Sequence, residues 1–247
     1  MGSWRLERLE TERNLRSASF AKNLDRKTTV ADRIQLWLST SREVDGLWVG
    51  SMEFKPAPGL RRVEDALQLI KDHDPLHYSR IINNLERIWI DLLPYSRGLF
   101  EGSLNACKLD ERFVLSESTT LQQIASTIVH EATHARLERW GISYDDEKAR
   151  SRIEAICLRR ELNFAGKLPQ AEPLREELER TLEWCIDDDN YFSDVNLWQE
   201  TDKGNVETLR HLGTPDWVIR VLLKARAIRT GMRRWIHRVA GFPSRRT

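Results

Sequence analysis

An α+β fold that is mostly helix is what this chain predicts, and three observations carry the expectation. Apolar residues recur at helical spacing through most of the 247 residues. Two short stretches rich in branched and aromatic residues, 46–54 and 108–115, have strand character instead. The best-marked helix start, at 118–123, follows directly on the second of them, so a small sheet packed on that helix is the expected architecture.

Composition sets the outer bounds. With 40% apolar and 31% charged residues the chain can bury a substantial core. A formal net charge of +1 predicts no special partner by itself, and no nucleic acid is expected from it. No apolar run approaches the roughly 20 residues of a membrane span. The N-terminus, Met1-Gly2-Ser3-Trp4-Arg5-Leu6-Glu7, has neither the apolar core nor the cleavage site of a secretory signal. Three widely spaced cysteines, Cys107, Cys157 and Cys185, argue against a disulfide framework and fit a reducing compartment, so a cytoplasmic location is expected.

Taken in order, residues 4–24 are dense in alternating charge and read as a solvated helix or arm. Residues 29–38 read as a helix offering Val30, Ile34, Leu36, Trp37 and Leu38 for burial. The strand at 46–54 ends at Pro56-Ala57-Pro58-Gly59, and 60–71 is helical, with Val63, Ala66, Leu67 and Ile70 on one face. Asp72-His73-Asp74-Pro75 is a turn by composition, with His73 and His77 read as loop residues. Residues 78–93 read as one core helix through Ile81, Ile82, Leu85, Ile88, Trp89 and Leu92, closed by Pro94. A loop at 95–102 then leads to the strand at 108–115.

For the next helix, Thr119 with Gln122 or Thr120 with Gln123 makes a capping box, and Gly141 is a natural stop with Ile142 folding back onto it. Tyr144-Asp145-Asp146 caps a further helix running to about 165. Residues 170–207 are acidic and the chain is basic from Pro215 onward. Residues 217–239, where arginines alternate with apolar residues, could bind nucleic acid or an anionic membrane surface; the preferred expectation is that the two blocks neutralise each other, with 217–239 closing the fold as an amphipathic helix pair. The chain is read as a single domain in three parts: a helical N-terminal arm at 1–45, the sheet and central helix at 46–141, and a helical part at 142–247.

The central helix carries the chemistry. His130-Glu131-Ala132-Thr133-His134 is an H-E-x-x-H pattern. One helical turn separates the two imidazoles on one face, so both can bind one metal ion while Glu131 reaches a water beside it. A catalytic zinc needs a third protein ligand and an open fourth position. Glu154, in Arg152-Ile153-Glu154-Ala155-Ile156-Cys157, follows His134 by twenty residues, enough chain to end one helix, turn at Gly141 and return along another.

Over residues 121–162 this pattern resembles the gluzincin branch of the zincin metallopeptidases, the thermolysin-like arrangement. The resemblance implies a zincin-like fold, one zinc ion on His130, His134 and Glu154, and Glu131 as the base that activates water for peptide hydrolysis. It also implies an oxyanion donor, for which Tyr144 and His211 are the candidates. An acidic residue usually follows the ligand glutamate by four positions in that family. Here the position is Leu158, so support for the histidines falls to Glu161 or to a backbone carbonyl.

Other assignments of the same residues stand beside these. Glu154 could instead pair with Arg150 one turn earlier, leaving Glu147, Asp145 or Asp146 as ligands. Tyr144 could pack on the surface, and His211 could be an ordinary histidine. Residues 108–115 either border the cleft or run inside the sheet. A deformylase-like set with Cys107 fits poorly, because Ser103 stands in Glu101-Gly102-Ser103-Leu104 where that family has its cysteine. Cys157 reads as a small buried residue. The expected function is therefore a zinc metallopeptidase acting on peptide or protein substrates. The alternatives are a zinc hydrolase of a small amide or acyl substrate, and a binding or regulatory protein with a structural metal.

Overall fold

The computed structural model describes residues 29–52, 56–144, 146–187 and 192–223; the charged arm at 4–24 and the basic stretch beyond 223 lie outside them. In chain order stand α1 (Val30–Leu38), β1 (Thr40–Val44), β2 (Leu47–Ser51), α2 (Ala57–His73), α3 (Pro75–Asn84), β3 (Arg87–Asp91) and β4 (Gly98–Glu101). After them come β5 (Ala106–Asp110), α4 (Glu111–Leu115), α5 (Leu121–Arg139), α6 (Glu147–Ala165), α7 (Glu172–Asp187) and α8 (Asp194–His211). The fold is α+β and mostly helical, with a mixed five-stranded sheet ordered β1-β2-β3-β5-β4. β2, β3 and β5 run parallel, and β1 and β4 close the two edges antiparallel.

Alternation along the inner strands divides the sheet into two faces. Leu47, Val49, Ile88, Ile90, Cys107 and Leu109 join the main core, where Val63, Leu67 and Ile70 of α2 and Ile124, Ile128 and Ala132 of α5 cover them. Trp48, Trp89 and Ala106 form a smaller cluster with Leu104 and Leu36, the two tryptophans meeting edge to face with ring centroids 6.4 Å apart. Of the apolar residues expected to bury α1, only Leu36 does so; Val30, Ile34, Trp37 and Leu38 are exposed.

Several expected elements differ. The apolar run at 78–93 is not one helix: α3 stops at Asn84 and β3 follows at Arg87. Ile88, Trp89 and Ile90 are all buried because β3 lies inside the sheet with both faces covered. A strand covered on both faces loses the two-residue alternation that identifies it. The expected loop at 95–102 contains β4, and the expected strand at 108–115 divides into β5 and the short α4. β1 has the polar sequence TSREV and went unread; its signal is Asp45-Gly46, a two-residue hairpin turn with both φ angles positive (49° and 85°). The turn expected at 72–75 shrinks to Asp74, which ends α2 and caps α3 by accepting from the His77 amide at 3.2 Å. His77 is thereby a buried helix residue and not a loop residue.

The two helices that carry the motif residues are held at both ends and along their length. Thr120 and Gln123 form the capping box of α5. At its far end Gly141 adopts φ +81°, with its amide on Glu138 O at 2.9 Å and the Ile142 amide on Leu137 O at 3.0 Å. α6 returns against α5 through a cluster of Leu137, Ile153 and Cys157. Its other side, with Ala155, Leu158 and Ala165, packs on Leu174, Leu178 and Cys185 of α7. Leu158 is therefore a core residue of the α6–α7 pair, facing away from the histidines.

Candidate metal centre

One turn apart on α5, His130 and His134 turn their Nε2 atoms toward each other at 3.0 Å. Glu154 comes from α6 to meet both: its Oε2 lies 3.1 Å from His130 Nε2 and its Oε1 3.5 Å from His134 Nε2. Two ring nitrogens and a carboxylate in such contact need a proton or a cation among them. Tetrahedral zinc, with ligand bonds of roughly 2.0–2.1 Å, would set its donor atoms about 3.3 Å apart. The spacing of the three side chains fits that.

Glu161, two turns beyond Glu154, closes on the other side of the first imidazole. Its Oε1 takes His130 Nδ1 at 2.5 Å, and its Oε2 accepts from Ser126 Oγ at 2.6 Å. The Nδ1 proton is thus committed to Glu161, so Nε2, which faces Glu154, is the nitrogen that a metal would take in place of a proton. Ser126 stands one turn before His130, a partner that sequence reasoning missed although helical spacing places it on the same face.

Three carboxylates surround two imidazoles in a buried setting, and the protonation energetics follow. Burial works against a charged His130, but Glu161 and the other acidic neighbours hold its pKa well above the ordinary value. Burial, together with the charge on His130, presses His134 down to about 4. Burial alone would raise Glu154, yet the hydrogen bond from His130, the histidine charges and the Tyr144 hydroxyl hold it at about 2. Glu131 is pushed up to about 7 by burial, with His130 opposing and Glu154 and Glu161 adding to the rise. A pocket with this surplus of negative charge is suited to a divalent cation.

Glu131 is aimed by the sheet. Among the described residues β4 is an edge strand, paired with β5. The Phe100 amide donates to Glu131. Gly98 leaves room for the carboxylate: a Cβ there would come within 2.5 Å of Thr127 Cγ2 and 2.9 Å of Glu131 Oε1. These groups open into a cavity of about 440 Å³. β4, Tyr95, Tyr144, Phe192 and Leu197 are among the residues that line it. Residues 108–115 do not border it; the strand that does is β4, inside what composition reads as a loop.

Tyr144 sits on the rim, its hydroxyl donating to Glu154 and its ring edge-on to His134 at a centroid distance of 5.4 Å. Burial and the Glu154 charge raise its pKa. Arg150, a possible partner for Glu154, goes elsewhere. It donates to Tyr144 O at 2.9 Å, to Phe192 O at 3.1 Å and to Asp194 Oδ1 at 2.6 Å, tying Tyr144 and Phe192 of the cavity lining to the start of α8. His211 is exposed at the end of α8 and does not line the cavity. Of the fallback ligands, Glu147 accepts from the Asp194 amide at 2.9 Å, Asp146 is exposed, and Asp145 lies outside the described residues.

His130, His134 and Cys157 also form a group able to hold a metal ion, with ligand atoms within 4.8 Å of one another. Cys157 sits one turn after Glu154, fully buried, and burial drives its thiol pKa well up. Cys107 belongs to the core beneath the sheet and not to this group. The chain matches no protein-family profile, no curated protein and no solved structure.

Proposed function

We propose that this chain is a zinc-dependent peptidase of gluzincin type, in which His130, His134 and Glu154 hold one zinc ion and Glu131 is the general base. The observation that carries the reading is the meeting of His130 Nε2, His134 Nε2 and the Glu154 carboxylate within 3.0 to 3.5 Å in the lining of one cavity. Zinc bound there would supply Lewis acidity, polarising a carbonyl and lowering the pKa of water toward neutrality.

The protein's own groups account for the rest of the chemistry. Glu131 takes a proton from the attacking water and returns it to the departing amine. The Tyr144 hydroxyl, in the same cavity lining, is the donor for the developing oxyanion. Glu161 keeps His130 in the tautomer that leaves Nε2 free.

The test pairs metal analysis with Glu131→Gln. One zinc per chain is expected in both proteins, with peptide hydrolysis in the parent only. A parent protein that carries no zinc sinks the metal reading, and an active Glu131→Gln protein sinks the mechanism. Glu154→Ala should weaken zinc retention; if it does not, the third ligand is another residue.

A second reading rests on Cys157. With its sulfur as a further ligand, the site would be closed by four protein groups and the metal would be structural. Cys157→Ala decides between them: unchanged zinc affinity and activity support the catalytic site, and loss of zinc supports the closed one.

A further inference from the structure

A different face of α5 borders a second cavity, of about 40 Å³. Arginines from three helices reach it: Arg80 of α3, Arg136 of α5 and Arg160 of α6. No aspartate or glutamate is among the residues that line it. The Arg136 guanidinium is stacked on the Trp140 ring, 4.4 Å from its centroid, which holds its plane in place. Neither Arg80 nor Arg160 forms an ion pair with a carboxylate among the described residues. Arg80 and Arg160 thus bring like charges to one small cavity, an arrangement that an anion bound there would favour.

The same cavity is bordered by His77, whose side chain is 5% exposed. Its Nδ1 is held by Asp74, which also accepts from Lys167 Nζ at 2.7 Å. Its Nε2 is buried with no hydrogen-bond partner among the described residues. A buried polar atom of this kind costs free energy unless something meets it. Since the carboxylate of Asp74 commits the Nδ1 proton, Nε2 of the neutral ring is an acceptor. The cavity therefore offers guanidinium donors around a histidine acceptor, and it exceeds the roughly 10–15 Å³ that one water needs.

We propose that this cavity is a binding site for hydrogen phosphate. The guanidiniums of Arg80, Arg136 and Arg160 bind the phosphate oxygens, and the phosphate hydroxyl donates to His77 Nε2. Guanidinium forks suit tetrahedral oxyanions, and the acceptor nitrogen selects an oxyanion that still carries a proton. Sulfate, with the same shape and no proton near neutral pH, leaves Nε2 unmet. The site shares α5 and α6 with the metal centre and uses none of its ligands.

Calorimetric titration with sodium phosphate and, separately, sodium sulfate at constant ionic strength tests this. Phosphate is expected to bind with one site per chain and sulfate roughly tenfold more weakly, the factor associated with one unmet buried hydrogen bond. Arg80→Ala and Arg160→Ala should each weaken phosphate binding roughly tenfold or more, with unchanged far-UV circular dichroism. Glu154→Ala should leave it intact. Phosphate binding that survives the arginine substitutions but is lost in Glu154→Ala belongs to the metal centre and overturns the proposal. So does the absence of binding, and sulfate binding as tightly as phosphate overturns the acceptor role of His77.

Discussion

His130 and Glu161 are joined by a 2.5 Å contact from Nδ1 to Oε1, across 31 residues of chain, and the second Glu161 oxygen is taken by Ser126. The carboxylate therefore fixes both the tautomer and the tilt of the first imidazole. Removing it frees the ring to rotate and leaves Ser126 Oγ without its acceptor. Glu161→Ala should weaken zinc binding by roughly 10–100-fold, the range found for such supporting groups. Glu161→Gln, which still offers an oxygen, should fall between. Competition with a chromogenic chelator measures both; parent-like affinity in Glu161→Ala would mean that the contact orients nothing.

Gly98 places β4 close enough to α5 for the Phe100 amide to reach Glu131. A Cβ at this position meets Glu131 Oε1 at 2.9 Å and Thr127 Cγ2 at 2.5 Å, so the carboxylate or the strand must move. Gly98→Ala is expected to lower kcat for peptide hydrolysis by on the order of 100-fold, the cost of misplacing a reacting group by about 1 Å. Zinc content should stay at the parent level, because none of the proposed ligands is touched. Unaltered kcat would show that Glu131 does not depend on β4.

Asp74 and His77 make stability depend on pH away from the metal centre. Burial holds His77 below its ordinary value of 6.5 despite the adjoining carboxylate. The unfolded chain therefore takes up this proton first, and stability declines as the pH falls from 6.5 toward the lower folded value. For Asp74, burial acts to raise the pKa, but Lys167 and His77 outweigh it and hold the carboxyl below 3.8. Its contribution is complete above 3.8 and is lost as the pH falls through the folded value. Urea unfolding across pH should show the first decline in the parent and a shallower one in His77→Gln; identical slopes below pH 6.5 in the two proteins would remove His77 as the cause. Asp74→Asn should remove the lower step and, by taking away the carboxylate that holds the His77 pKa up, lengthen the first decline.

The sequence by itself determined the local geometry. Helical periodicity puts His130 and His134 on one face, Thr120 with Gln123 starts that helix, and Gly141 ends it, because caps and one-turn spacings depend on residues at most five apart. The return of the chain along α6 was legible for the same reason: a stop, a short turn and a second amphipathic run leave little freedom in where Glu154 arrives.

Only the tertiary structure decided what lies around those residues. Spacing offered Glu161 and a backbone carbonyl equally as support for a histidine, and the rotation of α6 against α5 selected Glu161 while turning Leu158 to α7. The same rotation sends Arg150 to Tyr144, Phe192 and Asp194 instead of Glu154, and brings Cys157 beside the histidines. β3 and β4 were hidden for two different reasons. A strand covered on both faces has no alternation to read, and a four-residue edge strand with a glycine has too few side chains to show one. Side-chain periodicity records which face of a segment is buried. Which partner buries it is settled when the helices and strands pack together.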